Sequence, residues 1–149
     1  LSAVDFYYLG MLHWLADNAD GATENLQKFL ATEDAAPPQA QSARSVLITI
    51  SARRKNLAGA EKIYADYLKT NVFEPRERLR TETELAKSFY AQKEFARAAP
   101  HAETAYQLTK EGLAENASRA RALAEILDAA QTVFEIYRDD GDRERAEKT

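Results

Sequence analysis

The sequence predicts an all-α fold made of antiparallel helix pairs, and three observations lead there. Alanine, leucine, glutamate, lysine and arginine dominate the 149 residues, with only five glycines and four prolines, a composition that propagates helix readily. Between short polar breaks, apolar residues recur at helical rather than alternating spacing. Short phrases also repeat. Asp20-Gly21-Ala22, Leu57-Ala58-Gly59-Ala60, Phe95-Ala96-Arg97-Ala98 and Arg143-Glu144-Arg145-Ala146 each close on alanine, the first three at 38-residue intervals and the last after 48.

The first helix lies ahead of the break at Asn18–Gly21, and the second runs on to Asp34–Pro38. A third starts near Pro38, where a missing N–H is no loss and the fixed φ suits a first turn, and it ends at Lys55–Asn56. The fourth reaches Asn71–Pro75, and Pro75 opens a fifth that ends at Gln92–Glu94. The sixth begins near Glu94. Pro100, inside it, removes one backbone hydrogen bond and crowds the preceding turn, so a kink is expected. The sixth is expected to end within Gly112–Ser118, with Ser118 capping a seventh helix; Asp139–Asp142 then precedes the start of an eighth.

Connections this short make consecutive helices antiparallel neighbours, and such hairpins must stack to cover their apolar faces. The expectation is one domain over 1–149, with repeats at about 3–36, 38–73, 75–116 and 118–149. The recurring alanines have a physical reason: a larger side chain at a close crossing would push helix axes beyond about 8–10 Å. The chain opens without Met and stops soon after a helix start, so it is expected to belong to a longer protein.

Composition excludes several functions. Twenty basic against twenty-four acidic residues give a net charge of −4, with no basic block to neutralise a line of phosphates, so nucleic acid is not an expected partner. No run approaches the ~18 apolar residues of a membrane span. The absence of cysteine removes disulfides, thiolate nucleophiles and cysteine-bound zinc while leaving the compartment open.

The recurring residues resemble the tetratricopeptide repeat, as a divergent member or a related helical-pair solenoid. The first repeat offers Phe6, Leu9-Gly10, Ala22 and Leu26; the second Leu47, Ala60 and Tyr64; the third Leu85-Ala86, Phe89, Ala98 and Ala105; the fourth Val133, Tyr137 and Ala146. Departures are His13 in place of Tyr, Ile48 and Phe134 in place of a small residue, and a period above the family's ~34 residues. The resemblance implies a right-handed superhelix whose concave face, lined by the first helix of each pair, holds a peptide or a partner's helix.

In that register the groove-facing residues are Tyr7, Met11 and Trp14, then Ser45 and Thr49, then Thr83, Lys87 and Tyr90, then Gln131, Glu135 and Arg138. Trp, Tyr and Met offer large contact area at low entropic cost, and Lys87 and Arg138 suit a carboxylate or backbone carbonyls. Relatives that clamp chaperone C-terminal carboxylates use Lys and Asn where this chain has Tyr7 and Met11, so that activity is not implied.

No catalytic constellation emerges. His13 and His101 have no partner at metal spacing, and His13 reads as packing. The carboxylates of Glu82-Thr83-Glu84 and Asp139-Asp140 alternate with basic residues as on solvated helix faces. Ser42, Ser45 and Ser51 lack a nucleophile elbow, and no glycine-rich phosphate loop exists. Asn116-Ala117-Ser118 fits a glycosylation triplet, but Ser118 reads better as a cap.

The expected function is therefore a non-enzymatic interaction scaffold, without cofactor or metal, binding a protein or peptide. The alternative is a structural spacer or self-assembly module that stacks through the ends of its helix pairs beside a neighbouring domain.

Overall fold

The computed structural model describes residues 1–117 and, beyond them, 119–121, 123–124, 127–128 and 130–131. Among the described residues the fold is all-α, with no strand. α1 spans Ala3–Leu15, α2 Ala19–Leu30, α3 Pro37–Arg53, α4 Leu57–Lys69, α5 Pro75–Ala91 and α6 Phe95–Glu115. The chain divides into two compact units, Leu1–Leu108 and Thr109–Thr149, with the division inside α6. In the second unit the described residues are helical apart from a turn at Asn116.

Boundaries follow local chemistry. Ser2 and Asp5 form a capping box at the start of α1. α3 and α5 open on proline, and the Glu74 carboxylate accepts the N–H groups of Arg76 and Glu77 ahead of α5. α6 runs through Gly112 and ends at Glu115, inside the break expected at Gly112–Ser118. A helical glycine costs only about 1 kcal/mol relative to alanine, and the Asn116 side chain closes on the Gly112 carbonyl at 2.8 Å. Pro100 lies within α6, which continues through it. Ser118 and the break at Asp139–Asp142 lie outside the described residues.

The three hairpin turns of the first unit share one construction. Asp17, Lys55 and Lys93, 38 residues apart, have φ of 60°, 62° and 61°. Each follows a helix end, and the next N–H reaches back five residues: Asn18 to His13, Asn56 to Ser51 and Glu94 to Phe89, at 2.8 to 2.9 Å. The left-handed residue itself bonds three back, to Trp14, Ala52 and Tyr90. This is the Schellman ending, which satisfies carbonyls that a helix terminus otherwise orphans. At the first two turns the asparagine also caps the following helix, Asn18 accepting from Gly21 N–H and Asn56 from Gly59 N–H, both at 3.0 Å.

These turns close α1 on α2 and α3 on α4; α3 further packs on α1, α2 and α5, and α4 on α5. Two apolar clusters result. The first gathers Ala22, Leu26 and Phe29 of α2 with Ala40, Ala43, Val46, Leu47 and Ile50 of α3. The second gathers Ile48 and Ala52 of α3, Leu57, Ala60 and Tyr67 of α4, Leu85 and Phe89 of α5 and Ala98 of α6. Ala22, Ala60 and Ala98, the phased alanines, are all buried. Gly10 is buried too, and a Cβ there would come within 2.6 Å of the Leu26 side chain, so only hydrogen fits at that crossing.

Two outcomes test this account in urea unfolding. A non-glycine residue in the left-handed region is strained, so Lys55→Gly is expected to stabilise the fold by about 0.5–1 kcal/mol. Gly10→Ala is expected to destabilise it by about 1–3 kcal/mol, because the added methyl must displace Leu26.

Candidate functional site

The three first helices of the hairpins, α1, α3 and α5, line one groove of about 550 Å³ within the first unit. α1 contributes Met11, Trp14 and Leu15, and α3 contributes Ser42, Ser45, Val46, Thr49 and Arg53. α5 contributes Glu77, Leu79, Arg80, Thr83, Glu84 and Lys87. One wall is thus apolar and aromatic, the floor carries small hydroxyl residues, and the opposite wall is charged.

Small residues on α3 let it approach α5 closely, and polar bonds hold the pair. Ser42 donates to the Glu77 carboxylate at 2.7 Å. Thr81 donates to the Glu77 carbonyl at 3.0 Å, which leaves Ser45 as donor in its 2.7 Å bond to Thr81. Arg53 reaches across to Glu84 at 3.2 Å, and its guanidinium lies 5.6 Å from the Trp14 ring centre. That contact gives one rim of the groove a cation on an aromatic face. Arg80 and Lys87 project from α5 two turns apart, both exposed.

Six of the residues expected to face a groove are brought together here: Met11, Trp14, Ser45, Thr49, Thr83 and Lys87. Ser45 is buried and engaged with Thr81 rather than open to a ligand. Tyr7 sits elsewhere, packed on the first core with its ring 5.2 Å from Phe29. Tyr90, an exposed residue, pairs with Phe95 at 5.3 Å, on an apolar shelf with Ala98, Ala99 and Ala102. Gln131 is helical in the second unit. Glu135 and Arg138 lie outside the described residues, as do Val133, Phe134, Tyr137 and Ala146. Sequence reasoning missed Arg53 and Arg80, although each lies one helical step along the same face from a residue it selected.

Behind α5 lies a polar cluster that corrects the reading of Glu82 as part of a solvated helix face, because its partners Tyr64 and His101 come from other helices. Glu82 is fully buried. Its Oε1 accepts from Tyr64 OH on α4 at 2.5 Å and from Arg78 Nε at 2.9 Å. Its Oε2 lies 2.6 Å from His101 Nδ1 on α6. The His101 ring stacks on Phe89 at 5.7 Å and meets the edge of Tyr64 at 4.9 Å, while Arg78 sits 4.2 Å over Phe73. Burial pushes the Glu82 carboxyl up, but the bonds from His101, Tyr64 and Arg78 outweigh it and hold the group below the ordinary carboxylate range. Burial, then the bond to Glu82, raises the Tyr64 phenol well above its usual value. Engaged at both oxygens and fully buried, Glu82 clamps α4, α5 and α6 together and is not presented to a ligand. His13 has a comparable structural role: Asn18 Oδ1 is the acceptor for Gly21, so Asn18 Nδ2 donates to His13 Nδ1 at 3.1 Å.

Removing the Glu82 charge leaves Arg78 and His101 facing a neutral group, so Glu82→Gln is expected to cost about 3 kcal/mol near pH 7 in urea unfolding. The sign with pH follows from a lowered folded-state pKa. The contribution is complete above the unfolded carboxyl's value and is lost as pH falls through the folded one. Wild type and variant should therefore converge in acid; a constant gap would contradict the ionised clamp.

Comparison of the chain with known protein families, with characterised proteins and with solved structures finds no match.

Proposed function

We propose that this chain is a protein-interaction scaffold of the tetratricopeptide kind, its hairpins stacked as a right-handed superhelix and its groove receiving a peptide or a helix of a partner protein. The observation that carries this reading is the convergence of α1, α3 and α5 on one groove. There Met11, Trp14, Thr49, Thr83 and Lys87 come from three helices spaced far apart in sequence. The hairpin turn recurring every 38 residues supports the repeat.

The groove suits recognition rather than catalysis. Its carboxylates are engaged, Glu77 by Ser42 and Glu84 by Arg53, and its hydroxyls serve helix contacts. What remains toward solvent is an aromatic and thioether wall facing the cations Arg80 and Lys87, a combination that supplies contact area with a few directional anchors.

The test is selection of binding peptides from a random displayed library on the intact chain, followed by affinity measurement. Filling the floor with Thr49→Arg, or reversing charge with Lys87→Glu, is expected to weaken the selected peptides at least about tenfold, or ~1.4 kcal/mol, with unchanged circular dichroism. Selected peptides that ignore both substitutions, or a library yielding none, would transfer the case to the spacer or self-assembly reading.

A further inference from the structure

The groove formed by α1, α3 and α5 runs against the charge of the chain that builds it. The chain carries a net charge of −4. The ionisable side chains lining the groove are Arg53, Arg80 and Lys87 against Glu77 and Glu84, three cations to two carboxylates.

What is open to solvent is more one-sided still. The Glu77 side chain is buried and accepts from Ser42 at 2.7 Å. Glu84 stands between Arg80 and Lys87 on the same face of α5, but its carboxylate is taken by Arg53 from α3 at 3.2 Å. Glu74, which feels the Arg80 charge, accepts the N–H groups of Arg76 and Glu77. Arg80 and Lys87 are exposed, and neither lies within ion-pair distance of a carboxylate among the described residues.

The two cations stand seven residues apart on one helix, about 10 Å along its axis. The α1 wall contributes Met11, Trp14 and Leu15, and α1 contains no lysine or arginine. One wall thus offers apolar surface and another offers positive charge. A basic segment would bring its own cations against Arg80 and Lys87, and a neutral one would leave them unused. A nucleic-acid strand would gain little. Two cations release only about two counterions, and the Trp14 ring on which a base would stack already carries the Arg53 guanidinium at 5.6 Å.

We propose, resting on the groove as the binding face, that the segment it receives is acidic: two side-chain carboxylates about 10 Å apart pair with Arg80 and Lys87, and a large apolar side chain beside them packs on Met11, Trp14 and Leu15. Charge complementarity of this kind sets which partners are accepted more than how tightly they hold.

Displayed peptides fused at their C-termini carry no free terminal carboxylate, so selection from a random library of that kind reports on side chains alone. The intact chain is expected to enrich sequences with two or more Asp or Glu and a Trp, Phe or Leu. Arg80→Glu combined with Lys87→Glu is expected to enrich Lys and Arg instead. For peptides selected on the wild type, Arg80→Gln with Lys87→Gln should weaken affinity about tenfold, from two exposed contacts of about threefold each. Raising salt from about 0.05 to about 0.5 M should weaken the wild type and spare that variant. Thr49→Phe, which fills the floor without adding charge, locates the binding, and circular dichroism checks each fold.

Peptides lost with Thr49→Phe but neutral or basic, or indifferent to the glutamine pair, would overturn the acidic class and leave the groove as the binding face. Peptides that ignore Thr49→Phe, or none at all, would remove the groove and the acidic class together. A labelled oligo-dT strand that binds more tightly than every selected peptide would also overturn the proposal.

Discussion

The enclosure of α3 is the constraint on which the first unit depends. Val46, Leu47 and Ile50 of this helix enter the first apolar cluster, and Ile48 and Ala52 enter the second. Few helices are apolar toward two cores at once, and the consequence is that the polar residues of α3 must find partners inside the protein. Gln41 donates to the carbonyls of Tyr67 and Val72 at 2.7 and 3.0 Å, tying α3 to the end of α4. Ser42 and Ser45 bond to α5. Burying these groups unpaired would cost several kcal/mol; paired, they fix the lateral position of α5 and so the width of the groove.

A second consequence concerns how information is divided between apolar and polar contacts. The apolar clusters ask only for volume and would tolerate sliding of one helix on another. The hydrogen-bonded pairs do not, because each has one acceptable distance. Ser42 with Glu77, Ser45 with Thr81 and Arg53 with Glu84 stand along the α3–α5 seam like rungs. Glu82 performs the same service on the opposite side of α5, where it meets Tyr64, Arg78 and His101. α5 is therefore held in register from both sides, and Thr83 and Lys87 reach the groove from a fixed helix rather than a sliding one.

Much of the fold was legible in the sequence because its signals are local. Proline at the starts of α3 and α5, polar breaks between helices and phased alanines each act over a few residues. Legibility failed where local signals were weak or where one residue type serves two ends. The break at Gly112–Ser118 did not say whether the helix extends into it, and α6 runs through Gly112 to Glu115. Tyr7 and Met11 lie a single turn apart on α1, and one enters the core beside Phe29 while the other lines the groove. A rotation of the helix too small to register in a sequence pattern decides between them.

The sequence by itself determined that the described residues are helical, where most of their helices begin and end, and that Ala22, Ala60 and Ala98 are buried, because propensity, capping and residue size are properties of short segments. It also named six of the fourteen residues that line the groove, Met11, Trp14, Ser45, Thr49, Thr83 and Lys87, since their positions on α1, α3 and α5 follow from helical periodicity once the pairs are aligned. Only the tertiary structure decided which polar groups meet. Glu82 and His101 are 19 residues apart on different helices, and Ser42 and Glu77 are 35 apart. Such pairings depend on how whole helices are placed by the apolar cores, and no property of either segment alone specifies them.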